Sequence, residues 1–184
     1  MSGLGKFGIF LFTAAVILVS ALWIMGGRPH KAMAEVWVSA EPDEVFSWLV
    51  DPEKRTRWVQ NLEKTAIAES DTDGTPVKFV STFREGDRSM KLEEIVQQHD
   101  AARFLSLKYE SGGIETTRVF RIEPEGKRVR LTFEMIQKSL NLWRLKHALQ
   151  ATDLQAQIQS ESAVLKKLAE KNSETPFLFG EPIR

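Results

Sequence analysis

Glu94 and Arg118 stand out first, because strict alternation sets each on a strand face that is otherwise apolar. Glu94 falls between Leu92 and Val96, and Arg118 between Thr116 and Phe120. A charge taken out of water is costly unless it is paired. Each therefore meets a ligand head group or a counter-charge, Arg118 being suited to a carboxylate or phosphate, or else a bulge or one-residue slip turns it to solvent. Tyr109 is the only tyrosine and shares a face with Leu105 and Leu107, so its hydroxyl can donate into a pocket or to a backbone carbonyl. His30, His99 and His147 are too scattered for a metal site, which needs three or four convergent ligands. The chain has no cysteine, which excludes disulfides, thiolate metal centres and cysteine nucleophiles. There is no glycine-rich phosphate loop, nucleophile elbow or paired-carboxylate motif. No cofactor is implied and no catalytic residue is assigned; Glu94, Tyr109 and His147 are the acid–base candidates that proton-transfer chemistry would have to use.

The elements that position these residues read from the periodicity. Ala34, Val36, Val38 and Ala40 mark a first strand. Glu41-Pro42-Asp43 starts a short helix with Val45, Phe46, Trp48 and Leu49 on its apolar side, and Asp51-Pro52-Glu53 starts a second, expected to run through Trp58 and end near Asn61. From Thr65 to Ser139 the period is two, with turn signals at Asp73-Gly74, Glu85-Gly86-Asp87, His99-Asp100, Gly112-Gly113 and Pro124-Glu125-Gly126. Connections this short force antiparallel pairing, giving a meander of about six strands with one apolar face. Residues 141–172 contain neither glycine nor proline and read as one long helix. Leu142, Leu145, Leu149, Ala156 and Ala163 form one stripe, and Leu154, Ile158, Leu165 and Leu168 another close by. Gln155, Gln159 and Ser162 fall on a side expected to be exposed.

Residues 7–25 carry no charge and span roughly 28 Å as a helix, close to the thickness of a bilayer core. The run is longer than a usual signal-peptide core and apolar all round, so it reads as an uncleaved transmembrane anchor. The expectation is a single-pass membrane protein whose soluble domain lies outside the cytoplasm. The 25 basic and 25 acidic residues cancel, and without Lys6, Arg28 and Lys31 the domain has 22 against 25. No basic stripe is present, which argues against nucleic acid as a partner. The chain then divides into a tail (1–6), a transmembrane helix (7–25), a linker (26–31), one domain (32–172) and a C-terminal tail (173–184).

The segment VWVSAEPDEVFSWLVDPEKRTRWVQNLEKT, with Val36, Val38, Ala40, Pro42, Val45, Phe46, Asp51, Pro52 and Trp58 in order, resembles the start of the START-like superfamily, which includes the polyketide cyclase/dehydrase and lipid-transport proteins. The terminal LKKLAEKN at residues 165–172 is similar as well, so the resemblance covers about residues 32–172. It implies an α+β helix-grip fold, an antiparallel sheet wrapped around a long C-terminal helix with a cavity between them. Such a cavity would be lined by Phe79, Phe83, Leu92, Glu94, Leu107 and Tyr109 on the first strands. Arg118, Phe120, Leu131 and Phe133 would continue it on the later strands, with Leu149 and Ile158 on the helix. The implied partner is a lipid or other small hydrophobic molecule, with the membrane as its source. The alternatives are a cyclase/dehydrase-type enzyme, or a membrane adaptor using the outer sheet face or the Phe177/Phe179 tail; the fold hosts lipid carriers, hormone-binding proteins, cyclases, coenzyme-Q-binding proteins and chaperone activators.

Overall fold

Six alternating runs joined by tight turns have to pair as neighbours, and the one earlier strand must then find an edge. The computed structural model describes residues 3–140 and 153–173, with side chains from Phe10 to Lys171. Its strands are β1 (His30–Val38), β2 (Leu62–Ser70), β3 (Pro76–Glu85), β4 (Arg88–Asp100), β5 (Phe104–Ser111), β6 (Ile114–Glu125) and β7 (Arg128–Ser139). They form one antiparallel sheet in the order β1-β7-β6-β5-β4-β3-β2. The alternation is kept: Val129, Leu131, Phe133 and Met135 all face the core, as do Phe79, Ser81, Leu92 and Glu94. The turn expected at His99-Asp100 comes slightly later. Both residues stay in β4, and the reversal uses Ala102 at φ 59°.

Helix α2 (Pro42–Val50) starts with proline in its first turn beside Asp43 and Glu44, and buries Val45, Phe46, Trp48 and Leu49. Helix α3 (Pro52–Arg55) is capped by the Asp51 carboxylate, which accepts from the N–H groups of Glu53 (2.8 Å) and Lys54 (3.3 Å). It is shorter than expected. The chain tightens after Arg55 so that Trp58 turns inward, and Asn61 at φ 61° redirects it into β2.

Helix α4 (Leu154–Ser173) buries Leu154, Ile158, Glu161, Ser162, Leu165 and Ala169, a stripe at helical spacing. Gln155 and Gln159 are exposed as expected, but Ser162 is buried and bonds back to the Gln159 carbonyl (3.0 Å). Ala156 and Ala163 face solvent instead of the sheet. Gln155 clasps β1 through the Met33 carbonyl (2.9 Å), and Glu170 accepts from the Ser39 N–H (2.9 Å). The earlier part of the expected helix, with Leu142, Leu145, His147 and Leu149, lies outside the described residues, as do Phe177 and Phe179.

The uncharged N-terminal run forms α1 (Gly3–Gly26), on which Phe10, Phe12, Ile17 and Leu18 are exposed. The expectation of a single-pass membrane protein with its domain outside the cytoplasm is corrected at this point: among the described residues no helix is long and apolar enough to cross a membrane.

Between sheet and helices, the centre is filled by Trp58. Its ring stands edge-on to Phe120 (5.9 Å) and Phe133 (6.3 Å), which stack on each other at 4.5 Å. Its indole N–H donates to the Trp48 carbonyl (2.8 Å). Trp58→Ala is expected to lower stability by about 3–5 kcal/mol in urea unfolding. Trp58→Phe, which keeps a ring but leaves the carbonyl without its donor, should cost about 1–3 kcal/mol.

Candidate functional site

The ladder between β4 and β5 runs only from Ile95–Lys108 to Asp100–Phe104. Residues 88–94 and 109–111 therefore have no partner across that junction, although β4 stays paired to β3 and β5 to β6. A cleft of about 370 Å³ opens there. Phe83, Met90 and Leu92 line it from the β3–β4 hairpin, and Tyr109, Ile114, Thr116 and Arg118 from the β5–β6 hairpin. Arg84 and Glu85 at the end of β3, Ser111 of β5, Gln137 of β7, Gln157 of α4 and the Gln60-Asn61 loop complete the wall. Phe83 and Tyr109 stack at 6.2 Å, and Ser111 Oγ donates to Met90 Sδ (3.2 Å) across the gap.

Beneath the cleft four charged side chains are buried, each no more than 1% exposed: Arg55, Glu94, Arg118 and Glu161. Arg55 Nη2 donates to both Glu94 oxygens (2.9 and 2.8 Å) while its guanidinium lies 4.4 Å from the Phe79 ring centre. Ser81 Oγ donates to Glu94 Oε1 in a short hydrogen bond. Since the Ser81 proton is committed there, Thr65 is the donor in its 2.7 Å bond to Ser81. Arg118 Nη2 donates to Glu161 Oε1 (3.4 Å), which also accepts from the Gln60 N–H and Gln157 Nε2 (both 3.1 Å).

The two guanidiniums differ in setting. Burial opposes the charge on Arg118, but Glu161, Tyr109 and Glu94 outweigh it and hold its pKa above the ordinary arginine value. Burial pushes the pKa of Arg55 down more than the Glu94 carboxylate raises it, and the nearby Arg118 charge lowers it a little further. Both stay charged, as arginine does throughout the pH range of folded proteins.

Of the residues expected to line a cavity, Phe83, Leu92, Tyr109 and Arg118 border the cleft. Phe79, Leu107, Phe120, Leu131, Phe133 and Ile158 are packed in the core, and Glu94 is enclosed by Arg55 and Ser81. Leu149 lies outside the described residues. Sequence reasoning missed Arg55 and Glu161. The signal was available: two lone charges on apolar faces require two counter-charges, and the two helices facing the sheet are where those could come from. Among the described residues, no group of three or more histidines or carboxylates could hold a metal.

A family model described as polyketide cyclase/dehydrase and lipid transport matches residues 29–170. No curated protein matches. Among solved structures, the chain is similar to a START superfamily protein from Mycobacterium smegmatis (16% identity, TM-score 0.61, covering 79% of this chain and 97% of that one). It is also similar to the di-domain ARO/CYC StfQ of the steffimycin biosynthetic pathway (10% identity, TM-score 0.64, 80% and 53%). A norcoclaurine synthase point mutant from Thalictrum flavum matches as well (15% identity, TM-score 0.57, 79% and 96%). At these identities the likeness concerns the fold.

The Arg55–Glu94 geometry has a measurable consequence. Glu94→Leu strands a buried guanidinium and should cost about 3–5 kcal/mol in equilibrium unfolding. The double substitution Arg55→Met/Glu94→Leu removes both charges and should recover most of that loss. Additive losses in the double variant would show that the two side chains act independently.

Proposed function

This chain belongs to the polyketide cyclase/dehydrase and lipid transport family, and on that premise we propose that it holds a small hydrophobic molecule, a lipid or an aromatic of similar bulk, in the cleft between the β3–β4 and β5–β6 hairpins. The observation that carries this reading is the cleft itself. Its volume of about 370 Å³ falls in the range of small-molecule pockets, and its wall sets Phe83, Met90, Leu92, Tyr109 and Ile114 beside polar side chains that include Arg84, Glu85, Ser111, Arg118 and Gln137. Apolar ligand surface moved from water into such a wall gains about 25 cal/mol per Å². Among the described residues, Trp58 and the Phe120–Phe133 stack occupy the deeper core.

Two of the acid–base candidates are placed differently with respect to the cleft. Glu94 lies behind it and is saturated by Arg55 and Ser81, whereas Tyr109 borders it. Binding needs neither to react, so the proposal is a ligand-holding site and assigns no catalytic group.

The test uses the neutral dye N-phenyl-1-naphthylamine with the full chain. A saturable rise in fluorescence at one dye per chain is expected. Met90→Trp and Ile114→Trp, both at half-buried positions of the cleft wall, should weaken binding about tenfold or more while thermal unfolding stays cooperative. Unchanged affinity in both variants would place the dye elsewhere, on exposed apolar surface such as α1, and remove the cleft as the site.

A further inference from the structure

The inner end of the cleft has a distinctive set of polar groups. Arg118 uses only Nη2, on Glu161; its Nε and Nη1 are buried with no hydrogen-bond partner among the described residues. Gln137, also in the cleft wall, has a buried Oε1 in the same condition. The register brings the two together. Arg118 stands opposite Met135, and Gln137 is two residues further along β7 on the same face. Diagonal neighbours of this kind are about 7–8 Å apart at the backbone, within reach of one small group between two long side chains.

The charges around them are already balanced. Arg55 and Arg118 face Glu94 and Glu161, and all four are buried. A ligand carboxylate would bring a third negative charge into a neutral buried set and lose its own hydration. A wholly apolar ligand would instead leave the N–H groups of Arg118 Nε and Nη1 and an amide oxygen covered without partners. A hydroxyl meets both conditions: its oxygen accepts from Arg118 and its hydrogen is donated to Gln137 Oε1.

We propose that the cleft selects an uncharged apolar molecule bearing a hydroxyl group, an alcohol or phenol, over the carboxylic acid or the plain hydrocarbon of the same skeleton. The assignment rests on the cleft being the ligand site.

It is tested by displacement of N-phenyl-1-naphthylamine from the full chain at about pH 7, with naphthalene, 2-naphthol and 2-naphthoate as matched competitors. 2-Naphthol should displace the dye at concentrations at least about fivefold lower than either of the others. Gln137→Leu, which leaves the four charges untouched, should reduce its advantage over naphthalene to less than about twofold. Arg118→Leu/Glu161→Leu, which removes a charge pair as a unit, should do the same. Equal displacement by all three competitors, or tightest binding of 2-naphthoate, overturns the hydroxyl assignment. The cleft nevertheless stands as the site if dye binding is lost in Met90→Trp and Ile114→Trp. A chain that does not bind the dye at all, or binds it equally in those variants, overturns both.

Discussion

Charge cannot be buried under a sheet except as a balanced set, and the concave face of this sheet is organised by that rule. β4 contributes Glu94 and α3 answers with Arg55; β6 contributes Arg118 and α4 answers with Glu161. Each ion pair thus ties a strand to a helix. The first holds α3 against β3 and β4, where the Arg55 guanidinium also covers the Phe79 ring. The second fixes the register of α4, whose Glu161 takes the Gln60 N–H as well and so joins the helix to the loop after α3. Such pairs add little net stability over an apolar core, but breaking either leaves a stranded charge, which penalises other helix placements strongly.

With α3 held in this way, the position of Trp58 follows. Three residues after Arg55, its ring enters the middle of the core and its N–H finds the Trp48 carbonyl, so the deep part of the concavity is solid. Between the described strands, open space remains where β4 and β5 part. The cleft is therefore bounded by aromatic packing on one side and by separated hairpins on the other.

Much of this was legible in the sequence. The period of two in β3, β4, β6 and β7 correctly sorted inward from outward residues, because a strand with one buried face cannot slip by one position without exposing its whole apolar set. The same argument identified Glu94 and Arg118 as inward charges. It could not name their partners, since Arg55 and Glu161 sit in helices beside other charged or polar residues, where a buried charge looks like an exposed one. Helix α3 was read too long because the inward turn of Trp58 is a tertiary demand that overrides local propensity. The apolar N-terminal run was read as a span from its length, its lack of charge and its apolar faces, whereas among the described residues no helix is long and apolar enough to cross a membrane. The break in the β4–β5 ladder left no trace in the alternation, which continues unchanged through Leu92 and Tyr109.

That break also bears on why a cleft exists here. A strand pair that stops early leaves backbone N–H and C=O groups unmatched along residues 88–94 and 109–111, and such groups are tolerated only where water or another partner reaches them. Closing the ladder would satisfy the backbone but remove the cleft; burying the gap without closing it would leave those groups unpaired. The remaining solution is an opening accessible from outside, with Phe83 and Tyr109 stacked across it and Arg118 at its inner wall. The same local departure from regular pairing therefore creates the volume and keeps it reachable.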